Sequence, residues 1–329
     1  MCPLSSRIAA PGPACHPGGS TAIDILDTAG VQRKSTLMQH VYFILVCFIW
    51  GTSFILMDRA TLSLGPLTIG TAGALGGALM LGIVWIIKRP PLALRLADFP
   101  MLLSIALIGY AVPFVIQPYL IERIGHGYVG AIVCLVPLMT IAAQMPILRQ
   151  YPSRTQLTGV LLGFIFLVAY FWDGVDREVP ARQLLLAVTI PLSYAVTNVL
   201  VKRSLSHVPS VPLACVCLAA AGLMVLPFAV ARETIEHTST LALSIVALLL
   251  LAVFGRGFGT ALFYAMIRRR GPLFAGMVCY TIPIVVLAWS WLDHEKITLK
   301  QLIAVLGALA TVVVVQRDLE RQARLPPGA

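Results

Sequence analysis

The chain has 329 residues, 58% hydrophobic and 12% charged, whereas a soluble domain is about 45–50% apolar and about 25% charged. With a mean hydropathy of +0.89 and its apolar residues in long runs, the chain cannot be a water-soluble enzyme built round a large core. The net charge of +10 would suggest nucleic acid in a soluble chain, but in a membrane chain it first poses the question of which loops carry it.

Residues 1–37 are rich in Pro, Gly, Ser and Ala and read as a disordered N-terminal segment. Ile23 to Leu26 is too short for the apolar core of a signal peptide and is followed by Asp27. Apolar runs long enough to cross about 30 Å of hydrocarbon then occur at 39–57, 66–87, 99–120, 127–148, 155–172, 184–201, 210–231, 241–266, 272–292 and 299–316. The prediction is ten transmembrane helices, the first five in residues 38–173, the second five in 184–316, and a tail at 317–329. Pro113, Pro137, Pro191, Pro227 and Pro283 fall inside these runs, where neighbouring helices can satisfy the carbonyl groups that proline leaves free. Cys47, Cys134, Cys215, Cys217 and Cys279 also fall in apolar runs and read as small buried hydrophobes; Cys215-x-Cys217 lacks the second pair that a metal site would need.

With a cytoplasmic N-terminus, the cytoplasmic loops and tails hold 16 bases against five acids, and the other face seven bases against nine acids. Basic residues concentrate on the cytoplasmic side of membrane proteins, so both termini are expected there, in a cytoplasmic (inner) membrane. The excess charge is thus a topology signal, and no nucleic-acid partner is expected.

Sliding the chain on itself by 146 positions aligns Gly109 with Gly255, Gly125 with Gly271, Gly130 with Gly276 and Pro137 with Pro283; a shift of 144 brings Asp58-Arg59 onto Lys202-Arg203. Five helices are an odd number, so the second copy must enter the membrane upside down. The loop charges agree: Glu122-Arg123-Ile124-Gly125 is neutral, while its mate Arg268-Arg269-Arg270-Gly271 is strongly basic. Inverted repeats characterise secondary transporters, in which two inverted halves expose one midplane site to each side in turn.

Trp50-Gly51-Thr52-Ser53-Phe54, Gly257-Phe258-Gly259-Thr260-Ala261 before a basic turn and Gly271, and Tyr280-Thr281-Ile282-Pro283 followed by Glu295 and Gln301 resemble the drug/metabolite transporter superfamily in its ten-helix EamA-like branch. The resemblance covers about residues 39–316. It implies a bacterial inner-membrane permease, often an exporter of amino acids or other small metabolites, with a central cavity between the halves. Two positions depart from the pattern: the Arg common in the second helix is Gly73, and the acidic residue after the fourth helix is replaced by Arg149-Gln150.

Arg256 lies 12 residues from Arg268, roughly 18 Å into the membrane at 1.5 Å per residue. An intramembrane Arg costs about 2.5–3.5 kcal/mol on insertion scales and faces a cavity or a partner. No Asp or Glu lies at similar depth in another span, which leaves helix carbonyls and hydroxyls, or an anionic group on the cargo. Its repeat mate is Tyr110. Trp50, Ser53, Gln117, Asn198 and Tyr280 are further substrate-binding candidates within spans, each also able to serve as an interhelical hydrogen-bonding group. Trp50 has Tyr194 as its mate.

Gly125-His-Gly127-Tyr-Val-Gly130 matches a dinucleotide fingerprint but follows an apolar helix rather than a strand. Gly73-x3-Gly77, Gly159-x3-Gly163 and Gly255-x3-Gly259 read as close helix packing. The six histidines have no metalloprotease spacing, so no metal, cofactor or catalytic residue is expected and the chain does not read as an enzyme. The reading is a secondary transporter of small metabolites such as amino acids or organic anions, by alternating access and in the outward direction; a non-transporting membrane scaffold and a membrane-embedded enzyme are the alternatives. Its partners are a small-molecule substrate and the lipid bilayer, with a homodimer left open.

Overall fold

The computed structural model describes residues 22–172, 180–235, 238–292 and 298–324. The described residues up to His40 form one unit and those from Val41 a second, compact one, and the site described below lies wholly within the second. Among the described residues the chain is helical throughout, with no strand.

The ten predicted runs fall in ten helical segments. These are α1 (Ala22–Ala60), α2 (Pro66–Lys88), α3 (Leu96–Ile124), α4 (His126–Val133 and Val136–Leu148), α5 (Arg154–Trp172), α6 (Ala181–Ser204), α7 (Ser210–Arg232), α8 (Leu241–Arg270), α9 (Pro272–Gly276 and Val278–Leu292) and α10 (Leu299–Arg324). Seven of the described helices are long and apolar enough to cross a membrane, and the three shorter apolar ones belong to α4, α5 and α9. Of the N-terminal segment expected to be disordered, residues 1–21 lie outside the described residues and 22–37 are drawn as part of α1.

Local chemistry fixes the boundaries. Pro66 sits in the first turn of α2, where its missing N–H would have no helical partner anyway. The Glu233 carboxylate, from just beyond α7, accepts hydrogen bonds from the freed Leu67 and Thr68 N–H groups at 2.9 and 2.7 Å, a cap supplied from another helix. Gly125 and Gly271, mates in the repeat, end α3 and α8 with φ of 85° and 92°. A Cβ at either would meet nothing within 4 Å, so the positive φ alone calls for glycine there.

The fourth and ninth runs, expected as continuous helices, are each broken, at Cys134-Leu135 and at Met277. At both breaks the bonding tightens to one i→i+3 turn, Leu135 N–H to Ile132 O and Tyr280 N–H to Met277 O. Pro137 contributes to the first break, because it can neither donate to Val133 O nor avoid its own ring's clash with the preceding turn.

The most extensive helix contacts join repeat mates, α2 with α7 and α5 with α10, followed by α2 with α8 and α4 with α6. The glycines spaced by four make these approaches close. Gly77 faces the backbone of Ala252 and Gly257, Gly159 faces Val315, and Gly259 faces Trp50.

Side-chain ties sort the loops to two ends. At one end Ser63 bonds Thr238 and Thr240, and Ser244 bonds Arg59 O. At the other, His207 pairs with Asp98, Arg203 donates to Ile147 O, Arg268 to Ser206 O, and Arg270 pairs with Glu320. The α1–α2 turn thus lies at the first end and its mate, the α6–α7 turn, at the second. The two copies run through the bundle in opposite senses.

Candidate functional site

Two stretches of widened helix position the site. Leu107–Ala111 in α3 and Leu251–Phe258 in α8 are π-helical, and they are mates in the repeat, carrying Tyr110 and Arg256 respectively. An extra residue in a turn loosens the i→i+4 ladder and rotates side chains off their regular stripe, an arrangement common at functional sites. Small residues let partner helices approach them. A methyl group added at Gly109 would lie 2.5 Å from Thr197 Cγ2, and one at Gly255 would lie 2.5 Å from Ser53 Oγ. Ser53 and Thr197 are mates at a shift of 144. The indole N–H of Trp50 donates to the Gly255 carbonyl at 3.2 Å, holding a backbone acceptor within the π turn.

Between these turns lies a partly enclosed cavity of about 80 Å³, several times the roughly 15 Å³ that one water needs. Its wall is built almost entirely from repeat-related pairs. Trp50 pairs with Tyr194, Ser53 with Thr197, and Phe54 with Asn198. Gly109 and Tyr110 pair with Gly255 and Arg256, and Phe114 and Gln117 with Thr260 and Phe263. Val133 and Val136 on α4 pair with Cys279 and Ile282 on α9. Only Met57 and Leu251 in this wall stand outside the nine pairs. The cavity therefore lies on the pseudo-twofold axis relating the halves, and its chemistry is asymmetric because the paired residues differ.

Arg256 is 6% exposed. Its guanidinium lies flat on the Phe114 ring, with Cζ 3.4 Å from the centroid, a cation–π contact. Nη2 faces the Met57 sulfur at 3.9 Å, and the phenols of Tyr194 and Tyr110 are its polar neighbours. Its Nε has no hydrogen-bond partner. Arg256 is the one ionised side chain among the described cavity-lining residues. Gly73, where the sequence departs from the resembled pattern, lies beside it, 3.7 Å from Arg256 Cγ to an added Cβ.

Of the seven side chains singled out in the sequence, Arg256, Tyr110, Trp50, Ser53, Gln117 and Asn198 all line this cavity. The Asn198 Nδ2 is buried without a partner, whereas Ser53 Oγ donates to Ile49 O in its own helix at 2.7 Å. Tyr280 is placed elsewhere. Its hydroxyl donates to Val160 O at 2.8 Å, so it binds α9 to α5 away from the cavity. Thr197 and Phe114 were not singled out, although the first is the repeat mate of Ser53 and the second lies one turn from Tyr110. Among the described residues no His/Cys/Asp/Glu group could hold a metal ion.

The EamA-like transporter family matches the chain twice, over residues 37–172 and again over 181–317. The chain belongs to the EamA-like transporter family. It is a multi-pass membrane protein and a transporter, and each family match covers one half of the EamA-like bundle. The uncharacterized transporter YvbV of Bacillus subtilis (strain 168) is 23% identical over 274 residues, covering 83% of this chain and 90% of its own. One solved crystal structure, 15% identical, superposes with a TM-score of 0.69 over 87% of this chain and 98% of that one. It shares the EamA-like fold.

Proposed function

We propose that the protein is a secondary transporter of small metabolites such as amino acids or organic anions, working by alternating access as an exporter in the cytoplasmic membrane with both termini inside. The observation that carries this reading is the buried Arg256, with an unpartnered Nε, in a cavity on the axis between two inverted halves. A lone guanidinium offers planar paired donors that suit a carboxylate or phosphate. A site on the axis can be exposed to either side when the halves exchange conformations. The basic loops support the orientation, and the resemblance in the motifs supports export.

Counterflow in proteoliposomes, with and without a pH gradient, tests it against a panel of amino acids, organic acids and cationic drugs. Saturable exchange of compounds carrying a carboxylate is expected. Counterflow of no compound would favour the scaffold alternative, and exchange confined to the cationic drugs would remove the role given to Arg256.

A further inference from the structure

Resting on that reading of Arg256, we infer that the cargo is a monoanion with an apolar body and no cationic group: an aryl or branched-alkyl monocarboxylate rather than an amino acid. The charge balance of the cavity makes the distinction. Arg256 contributes +1, and no other side chain on the described wall is ionised. A monoanion brings the sum to zero. A zwitterion leaves it at +1 and buries an ammonium with no carboxylate to face, while a dianion leaves −1. Removing charge from water is costly unless it is paired, and an uncompensated buried charge costs far more than a paired one.

The free donors point the same way. Arg256 Nε and Asn198 Nδ2, on two residues that line the cavity, both lack hydrogen-bond partners. Phe114 covers one face of the guanidinium, leaving its edge, where the N–H groups are, for a planar acceptor such as a carboxylate. The wall also carries hydrocarbon, Val133 and Val136 from α4, Ile282 from α9 and Leu251 from α8, beside the neutral polar side chains of Ser53, Gln117, Thr197 and Thr260. Trp50 and Phe263 add two rings with centroids 4.6 Å apart. An apolar body lies well against the hydrocarbon part of this wall, whereas an ammonium there would find no ionised partner.

The experiment is calorimetric titration of the purified full chain with a series that shares one benzyl body: 3-phenylpropanoate, L-phenylalanine, benzylmalonate, 3-phenylpropanol and 2-phenylethylamine. Wild type, Arg256→Gln and Arg256→Lys are compared, each checked for folding by its thermal transition. The monoanion is expected to bind tightest, by at least about tenfold over the zwitterion and the dianion. Its preference over the neutral alcohol should vanish in Arg256→Gln and return in part in Arg256→Lys. If phenylalanine or benzylmalonate binds as well as the monoanion in wild type and loses affinity in Arg256→Gln, the anion-anchor reading stands and the monoanion inference falls. If a folded Arg256→Gln binds the whole series as wild type does, or if wild type fails to bind the monoanion, both fall.

Discussion

Arg256 was legible from counting alone: 12 residues from the basic turn put it too deep to reach either interface. Its surroundings were not legible, because what lies beside it depends on which helices pack against α8. The same limit explains Tyr280. A tyrosine in an apolar run reads alike whether its hydroxyl reaches a cavity or, as here, a carbonyl on a neighbouring helix. The glycines beside Arg256 give a sharper residue-level contrast. A Cβ at Gly77 would lie 3.0 Å from Ala252 O and from Gly257 N, backbone atoms that cannot move aside without shifting α8. A Cβ at Gly73 would meet side-chain atoms no nearer than 3.7 Å. Gly77→Ala is therefore expected to destabilise by about 1–3 kcal/mol, and Gly73→Ala to leave the unfolding midpoint in detergent nearly unchanged or slightly raised. Equal effects of the two substitutions would show that α2 does not approach α8 as described.

At the scale of elements, the helices could be read from apolar runs, but their irregularities could not. A π turn adds one residue to a turn and leaves hydropathy unaltered, so nothing in the sequence marks Leu107–Ala111 or Leu251–Phe258. The prolines read as tolerated within continuous spans and did not predict the breaks in α4 and α9, but Pro283 gives a buried cysteine a use. Lacking an N–H, Pro283 leaves the Cys279 carbonyl without its i+4 donor, and the Cys134 thiol lies within donating distance of it at 3.2 Å, with Gly130 O of its own helix at 3.3 Å as the competing acceptor. Cys134 was read as a small hydrophobe; it is also the group that ties α4 to α9 beside the axis. Cys134→Ala is expected to cost about 1–2 kcal/mol, since it strands a buried acceptor. In Pro283→Ala the carbonyl regains its helical donor, so the further loss on adding Cys134→Ala should shrink well below that. A double-mutant cycle on thermal unfolding measures the coupling, and strict additivity would deny the link.

For the whole molecule, the inverted halves could be inferred because some matched residues are backbone constraints. Gly125 and Gly271 both need positive φ, and such positions keep their spacing when side chains diverge. A central cavity between the halves was expected from the resemblance, but its full lining was not, and the same two shifts, 144 and 146, pair nearly all of its wall. Alternating access requires the two ends of the bundle to open in turn. Ser63 and Thr238, 2.6 Å apart through their hydroxyls, hold one end together. In a Ser63→Cys/Thr238→Cys protein, oxidation is expected to stop transport and reduction to restore it. Undiminished transport by the oxidised form would mean that this end need not open.

The central claim is that Arg256, on the axis between the halves, holds the anionic group of the cargo. The most direct measurement is concentration-dependent counterflow of a transported organic anion by wild type, Arg256→Gln and Arg256→Lys at matched protein density. Wild type should show saturable exchange, Arg256→Lys a weaker apparent affinity, and Arg256→Gln a loss of at least about tenfold, with a thermal transition no lower than that of wild type because an unpaired buried charge has been removed. Unchanged apparent affinity in Arg256→Gln would contradict the account.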